Sequence, residues 1–323
     1  MRCSRPWAVL ALLLLAGSAA RAAEKFGVDS AHSKVGFTVV FAGVSDVEGR
    51  FTDYEATIMY DDNDLTKCSV TAVIKASSID TGDMGRDKDL QAASWFDSEK
   101  FPLIQFQSTR VEKRGDGYVA TGTLTIKGVS KEVSFPVVWR HHKMEDPWKN
   151  IRVGFEGKLT LNRRDFGVVG PTFFNNAVAG EVSVELRITA EIPNFDRRNF
   201  FAPEGKQAIG KVVGETLEKD GVEAAIKQYG ELKGNTQAYQ VGAGQLSLLG
   251  YKLLQHGKNQ EALEIFKVNA VEYPQVAEIW DSLGDGYLAT GNKEEAIRNF
   301  RKSLEMKPTN TSAMESLRSL GEQ

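Results

Sequence analysis

The chain has 323 residues, of which 40 are lysine or arginine and 43 are aspartate or glutamate, so its formal net charge is −3. This slightly acidic balance argues against proteins that bind nucleic acid or anionic membranes through a basic surface. The length exceeds that of a typical single domain and predicts at least two folded units.

The first 22 residues have the pattern of a cleaved secretory signal peptide. Arg2 and Arg5 precede an apolar run at residues 8–16, and small residues follow at positions 20 and 22. This run is short of the roughly 20 residues that cross a bilayer. We therefore expect export to the periplasm of a Gram-negative-type cell. The mature chain would keep one cysteine, Cys68, which has no possible disulfide partner within the chain.

Residues 26–193 alternate apolar and polar side chains in eight successive runs. Side chains of a strand point to opposite faces in turn, so this alternation predicts strands with one buried face. The runs lie at residues 35–41, 54–60, 70–76, 104–106, 118–126, 133–139, 153–161 and 182–188. Eight antiparallel strands can hide their apolar faces and lose their exposed edges by closing into a barrel. A two-sheet sandwich would satisfy the same pattern.

The interior of such a barrel is either filled by side chains or wide enough for one slender ligand. Several inward positions of the predicted strands carry small residues, which favours internal space over a filled core. These residues are Ala56, Ala72, Ala120, Gly122 and Gly157.

Short motifs follow one another in a fixed order along the same region. They are VDSAHS at 28–33, VEGRF at 47–51, SIDTG at 78–82, RDKDL at 86–90, WFD at 95–97, FPLIQF at 101–106, GTLTIKGV at 122–129 and NRRDFG at 162–167. As an ordered set they resemble the YceI family of lipocalin-like, polyisoprenoid-binding proteins. The resemblance covers nearly all of residues 26–193. It implies an extended eight-stranded barrel that holds a long isoprenoid chain, such as a polyprenyl phosphate or a quinone tail, in an apolar tunnel.

The inward-facing residues are suited to such a ligand because they are aromatic and branched. Each buried CH₂ group contributes about 0.8 kcal/mol, so an apolar tunnel binds a long chain without any chemistry. For any single residue, a place in a packed core is the more common role. The predicted tunnel lining is Phe37, Val39, Phe41, Tyr54, Ile58, Ile74, Phe106, Leu124, Ile126, Phe135, Trp139, Phe155 and Leu159.

The segment 79–101 interrupts the strand pattern and is rich in charged residues. We interpret it as a short helix and loop over the barrel mouth, which either gates the tunnel or places a cation beside a lipid head group. The alternative is that its charges only pair with one another at the surface. The predicted mouth and head-group residues are Asp80, Arg86, Asp87, Trp95, Arg163 and Asp165.

Sequence motifs of common enzyme classes are absent: the chain has no GxSxG elbow, phosphate loop, dinucleotide fingerprint or HExxH pair. His141 and His142 lie in a polar segment, 140–150, that we predict to be a hairpin loop. Adjacent histidines rarely converge on one metal ion. We expect no catalysis, no metal and no cofactor. The enzyme hypothesis that is left would use His32 or Asp165 as a base acting on a bound lipid.

From residue 207 the apolar spacing becomes helical and repeats in the manner of tetratricopeptide repeats. Trp280, Leu283, Gly284, Tyr287, Ala296, Phe300 and Pro308 correspond to Leu246, Leu249, Gly250, Leu253, Ala262, Phe266 and Pro274. We predict repeats at 243–276 and 277–310, a degenerate repeat at 207–240, and a capping helix at 311–323 with its serines and glutamate exposed. In the linker, 194–206, three phenylalanines at 195, 200 and 201 are expected to dock the helices onto the barrel.

The predicted fold is a multidomain chain with β and α parts. A signal peptide (1–22) precedes an eight-stranded antiparallel lipocalin-like barrel (23–193), and the linker leads to a helical repeat domain (207–323). The predicted function is an exported protein that sequesters or carries an isoprenoid lipid. Its repeats would bind an unidentified protein or pair two chains in a homodimer. Two alternatives are an assembly adaptor with a filled barrel and an enzyme acting on a bound lipid.

Overall fold

A computed structural model describes residues 23–174, 176–195 and 200–322. The predicted signal peptide lies outside the described residues. The N-terminal part consists of strands with one helix, α1 (Met84–Gln91). The strands are β1 (Glu24–Val28), β2 (Lys34–Phe41), β3 (Ser45–Phe51), β4 (Tyr54–Tyr60), β5 (Ser69–Lys75), β6 (Ile79–Asp80), β7 (Leu103–Arg114), β8 (Gly117–Ile126), β9 (Val129–Glu145), β10 (Ile151–Asn162) and β11 (Val178–Ile192).

These strands form one closed antiparallel barrel. Three successive pairs, β1 with β2, β3 with β4 and β5 with β6, are each a single long strand interrupted by a bend. Counted in this way, the barrel has eight strands. It closes where β11 pairs with both halves of the first strand, at Val28↔Ala190 and at Val35↔Leu186. The predicted eight-stranded barrel is therefore confirmed, and the sandwich alternative is wrong.

Two of the inward-facing glycines lie against phenylalanine rings. A Cβ atom at Gly122 would lie 2.6 Å from the ring of Phe106, and one at Gly157 would lie 3.1 Å from the ring of Phe135. The Phe106 ring occupies the room that Gly122 leaves, so the expectation that Gly122 opens the interior is wrong. Gly157 lines the internal cavity, as do Ala56, Ala72 and Ala120.

The hairpin between β9 and β10 is shorter than predicted. His141 and His142 belong to β9, which pairs with β10 as far as Glu145↔Ile151. The turn itself is organised by Asp146, whose carboxylate accepts hydrogen bonds from the backbone N–H groups of Trp148 and Asn150 at 2.8 and 3.0 Å. The segment looked like a loop because both faces of this strand extension carry polar residues.

The C-terminal part is helical. Its helices are α2 (Ile209–Asp220), α3 (Val222–Leu232), α4 (Ala243–Gln255), α5 (Asn259–Glu272), α6 (Ala277–Ala289), α7 (Lys293–Met306) and α8 (Thr311–Ser319), with a short parallel pairing of β12 (Gln207–Ala208) and β13 (Tyr239–Gln240). The pairs α4–α5 and α6–α7 repeat one packing detail. The ring of Phe266 covers Gly250, and the ring of Phe300 covers Gly284, so that any Cβ there would clash. Glycine is required at both positions for the paired helices to approach.

Two of the three linker phenylalanines pack against the helices. The Phe195 ring stacks on Tyr251 with a centroid distance of 5.3 Å, and its backbone N–H donates to Gln255 Oε1 at 2.9 Å. Phe200 packs into the core of the helical domain. Phe201 is 72% exposed, so its predicted docking role is wrong.

Helix α8 lies across the outer face of β4 and β5 through a buried polar interface. The Glu315 carboxylate accepts hydrogen bonds from the hydroxyl groups of Ser69 and Thr71, the latter at 2.5 Å. The hydroxyl groups of Thr311 and Thr57 lie 2.9 Å apart. Glu315 is only 1% exposed. The expectation of exposure is wrong for Glu315 and Ser316, which are buried, and it holds for Ser319, which is exposed. The barrel strands supply polar partners for the buried side chains of this helix.

A cation from the barrel extends this interface to the preceding helix pair. The Lys25 ammonium donates to Asp285 Oδ1 at 2.9 Å and to the hydroxyl groups of Ser312 and Ser316 at 2.9 and 3.0 Å. Repeat domains usually offer the face formed by the first helix of each pair to their ligands. Here α6 and α8 turn that face to the chain's own barrel.

Candidate functional site

The barrel encloses an apolar cavity of about 580 Å³. Its wall is built from the inward-facing side chains of the strands, at alternate positions, as the pleat of a strand requires. The structure places all thirteen predicted lining residues on this wall: Phe37, Val39, Phe41, Tyr54, Ile58, Ile74, Phe106, Leu124, Ile126, Phe135, Trp139, Phe155 and Leu159. The barrel is therefore not filled by its own side chains.

Other lining residues were missed by the sequence interpretation. Val184 and Leu186 of β11 continue the same alternation that identified their neighbours, so the signal was present. Leu90, Phe96 and Phe174 also line the cavity. They come from α1 and from irregular segments, where no periodicity distinguishes an inward from an outward side chain.

The cavity opens at one end of the barrel. Five of its lining residues are also exposed on the molecular surface: Phe41, Asp83, Arg86, Asp89 and Phe174. They surround a gap between α1, the turn after β2 and the turn before β11. At the opposite end, fully buried side chains pack together in a cluster that includes Phe26, Tyr60 and Val153.

Helix α1 borders this opening, at the position where the sequence predicted a short helix. Asp83 caps its first turn by accepting a hydrogen bond from the Arg86 N–H at 3.0 Å. The Arg86 side chain donates to the hydroxyl and the carbonyl oxygen of Thr81, both at 2.8 Å. The Asp87 carboxylate accepts from the Thr81 N–H at 2.9 Å and does not line the cavity. Arg86 thus places an exposed cation in the cavity lining at the opening.

Arg163 lies in the cavity wall but is committed to the backbone. Its guanidinium donates to the carbonyl oxygens of Val168, Val169, Val178 and Ala179 at 2.6 to 2.9 Å. Burial, with a smaller contribution from the neighbouring Arg164, lowers the pKa of Arg163.

The Arg163 guanidinium also lies 5.2 Å from the ring of Trp95, which is a second wall residue. Its hydrogen bonds hold two backbone segments at the mouth in place. This arrangement gives Arg163 a positioning role, and a head group would have to compete with four carbonyl oxygens for it.

Two predicted head-group residues lie away from the cavity. Asp80 pairs with Arg50 at 3.1 Å on the barrel surface. Asp165 is exposed and does not line the wall. Of the six predicted mouth residues, the structure therefore brings three to the cavity: Arg86, Trp95 and Arg163.

The groups proposed as catalytic bases do not reach the cavity either. His32 is exposed, with its Nδ1 atom 2.7 Å from Asp29 Oδ2. Partial burial opposes ionisation of Asp29, but hydrogen bonds from Arg152 and His32 lower its pKa. Cys68 does line the cavity, where burial raises the pKa of its thiol to about 11, so the thiol stays neutral at physiological pH. Neutral, buried cysteine behaves as a small apolar side chain.

The described part of the chain shows neither a cluster of metal-binding side chains nor a membrane-spanning helix. Among residues 23–174, 176–195 and 200–322, no three histidine, cysteine, aspartate or glutamate side chains are grouped closely enough to hold a metal ion. Within the same described residues, no helix has the length and apolar character needed to cross a membrane.

Known proteins resemble the barrel part of the chain. Residues 26–190, about half of the chain, match the YceI-like domain. The chain belongs to the YceI-like family. A UPF0312 protein of Photorhabdus laumondii is 37% identical over 159 residues, which cover 48% of this chain and 81% of that protein. A UPF0312 protein of Yersinia pestis is 35% identical over 158 residues, 49% of this chain and 82% of its own length.

Solved structures resemble the YceI-like barrel. BcnA of Burkholderia cenocepacia is 27% identical, with a TM-score of 0.46, over 50% of this chain and 98% of its own. A polyisoprenoid binding domain from Saccharophagus degradans is 16% identical, with a TM-score of 0.41, over 52% of this chain and 98% of its own. Residues 277–310 match a tetratricopeptide repeat. The two family matches, at residues 26–190 and 277–310, confirm the resemblances expected from the sequence.

Proposed function

We propose that this YceI-like protein is an exported binding protein that holds the chain of one isoprenoid lipid inside its barrel. The observation that supports the proposal is the cavity: about 580 Å³, walled by aliphatic and aromatic side chains and open at one end. Its volume lies in the range of roughly 300–1,000 Å³ that is usual for small-molecule sites. The pattern of the first 22 residues supports export.

The energetics favour a long apolar chain over a polar ligand. Each buried CH₂ contributes about 0.8 kcal/mol, so ten such groups contribute about 8 kcal/mol before the entropic costs of binding. A wall with few polar groups offers little to a sugar or a peptide. Arg86, exposed at the opening, supports a ligand whose polar head stays outside, such as a polyprenyl phosphate or a quinone.

The helical domain has a separate part in the proposal. The face that α6 and α8 form is covered by the barrel, with contacts that include Lys25 to Asp285 and Glu315 to Thr71. A protein partner would bind another surface of the helices or displace the barrel. The adaptor alternative also requires a filled barrel, and no observation favours it over the lipid-binding proposal.

The proposal is tested by placing a charge on the cavity wall. Leu124 lines the cavity, whereas its neighbour Thr123 is exposed on the outer face of β8. We expect Leu124→Arg to abolish uptake of an added polyprenyl phosphate or quinone, because a buried unpaired cation excludes an apolar chain. Thr123→Arg is the matched control and should take up lipid like the unmodified protein. Uptake is measured by lipid extraction after gel filtration.

A second substitution keeps the test informative if Leu124→Arg does not fold. Ala72 lines the cavity, and Ala72→Phe reduces its volume without adding charge. We expect this variant to prefer shorter chains than the unmodified protein. Unchanged uptake and unchanged chain-length preference in folded variants would contradict a ligand inside the barrel.

A further inference from the structure

The rim of the cavity carries an apolar lip made of two short segments. One is residues 40–44, the tip of the β2–β3 hairpin, and the other is residues 169–174, before β11. Neither segment contains a charged residue. Val44 is 84% exposed and Phe173 is 85% exposed. Large apolar side chains with so little cover are unusual unless they serve an interaction.

The hairpin tip has a defined turn geometry. Ala42 and Gly43 have positive φ angles of 52° and 72°, and the Val44 N–H donates to the Phe41 carbonyl oxygen at 3.1 Å. Phe41 pairs with Ser45 across this three-residue loop, so the flanking strands stay paired up to the tip. The exposure of Val44 is therefore fixed by the fold.

The two segments form one surface. The Ala42 N–H donates to the Ala177 carbonyl oxygen at 2.6 Å, which ties the hairpin tip to the chain that follows the second segment. Phe41 also pairs with Val178 across β2 and β11. Within the second segment, the rings of Phe173 and Phe174 pack edge to face at 5.1 Å.

The lip is continuous with the cavity, because Phe41 and Phe174 belong to both. Across the opening stands α1, with the charged side chains of Arg86, Lys88 and Asp89 exposed. An apolar lip beside a charged helix fits the boundary between the acyl chains and the head groups of a bilayer. A chain that leaves the bilayer at the lip enters the cavity without crossing water.

We propose that the apolar lip is a membrane-docking surface, where Val44 and Phe173 insert into a lipid bilayer from which the cavity takes its ligand. This inference rests on the proposed lipid-binding function. The lip consists of projecting tips, and such a shape suits a deformable lipid surface better than a preformed protein pocket.

The test uses the full chain carrying Val44→Asp and Phe173→Asp together. The control is Trp148→Asp, which replaces a side chain that is 65% exposed in the β9–β10 turn, at the opposite end of the barrel. Flotation with phosphatidylcholine vesicles reports docking. Transfer of a labelled polyprenyl phosphate from donor vesicles reports uptake from a membrane, and addition of the same lipid from ethanol reports occupancy of the cavity alone.

We expect the double variant to lose vesicle binding and transfer rate by at least tenfold while it still accepts lipid from ethanol, and Trp148→Asp to behave like the unmodified protein. Equal flotation of the double variant would overturn the inference. An equal loss in Trp148→Asp would overturn it as well. So would a result in which the unmodified protein does not bind vesicles and the double variant differs from it only by weaker self-association. If no form accepts lipid from ethanol, the lipid-binding proposal fails, and flotation alone still decides the docking role of the lip.

Discussion

The inner and outer faces of strands β4 and β5 have different surroundings. Ala56, Ile58 and Ala72 face inward and line an apolar cavity that no side chain of the barrel fills. Thr57 and Thr71 face outward, where the alternation of an antiparallel barrel would normally meet water. In this protein they meet α8 and are buried. The apolar face leaves room for any slender apolar chain, while the polar face is matched, bond by bond, to one particular helix.

The difference follows from the physics of burial. Apolar contacts are not directional, so the inner face tolerates a range of ligands. A buried carboxylate such as Glu315 is tolerated only when hydrogen bonds replace its water, so the outer face is specific. We therefore expect changes at the outer face to affect domain docking and leave lipid uptake intact.

The largest effect on docking is expected from Glu315→Ala. The substitution leaves the half-buried hydroxyl group of Ser69 and the buried hydroxyl group of Thr71 without their acceptor, a loss on the order of 3 kcal/mol. The free energy of unfolding in urea measures it. Glu294→Ala, at an exposed position of α7, is the control and should change little. Equal stability of the two variants, or loss of lipid uptake in Glu315→Ala alone, would contradict the expectation that the outer face governs docking and the inner face governs lipid uptake.

A smaller effect is expected from pH. Asp281 of α6 is 6% exposed, and burial raises its pKa to about 6; the nearby Lys25 cation opposes this shift and Asp285 adds to it. Because the pKa is higher in the folded than in the unfolded chain, the protonated group stabilises the docked state. This contribution is complete below about pH 4 and is lost as the pH rises through 6.

Stability should therefore fall by about 1 kcal/mol between pH 5 and pH 7 through this group. Lys25 stays charged over this range, because Asp285 and Asp281 raise its pKa in spite of the opposing effect of burial. In Asp281→Asn this part of the pH dependence should disappear. Urea unfolding of both proteins at the two pH values measures the difference, and parallel curves would show that another group is responsible.

The smallest effect is expected at the cavity mouth. Arg86 is exposed, so its attraction for a phosphate is screened by water and salt and is worth under about 1 kcal/mol. Arg86→Gln should weaken binding of a polyprenyl phosphate a few-fold and leave binding of an uncharged quinone unchanged. Lys88→Gln is the control, because Lys88 is exposed two residues further along α1 and does not line the cavity. A large loss of quinone binding in Arg86→Gln would mean that α1 is needed to shape the cavity itself.

The barrel was predictable because its inner face imposes a period of two on each strand. That signal identified the strands and the thirteen lining residues on them. It could not identify Leu90 or Phe174, because irregular segments lack a period. The extension of β9 through His141 was hidden for a related reason, since a strand that is polar on both faces looks like a loop.

Charged residues were the least predictable, because their partners are distant in sequence. Arginine is a suitable residue type for binding a lipid head group, but the hydrogen bonds of Arg163 go to carbonyl oxygens that only the fold brings together. Glu315 was expected on the surface because its partners lie on β5, in the other domain. Local sequence describes the helix correctly and carries no information on what will cover it.

The most direct test of the account is to identify what the cavity holds. The full chain, expressed with its own N-terminal segment and purified without detergent, is extracted with organic solvent, and the extract is analysed by mass spectrometry. We expect a near-stoichiometric species with isoprene-unit mass spacing or a quinone head group, as the lipid-binding proposal requires. An empty extract from folded protein that also fails to take up added polyprenyl lipids would contradict it.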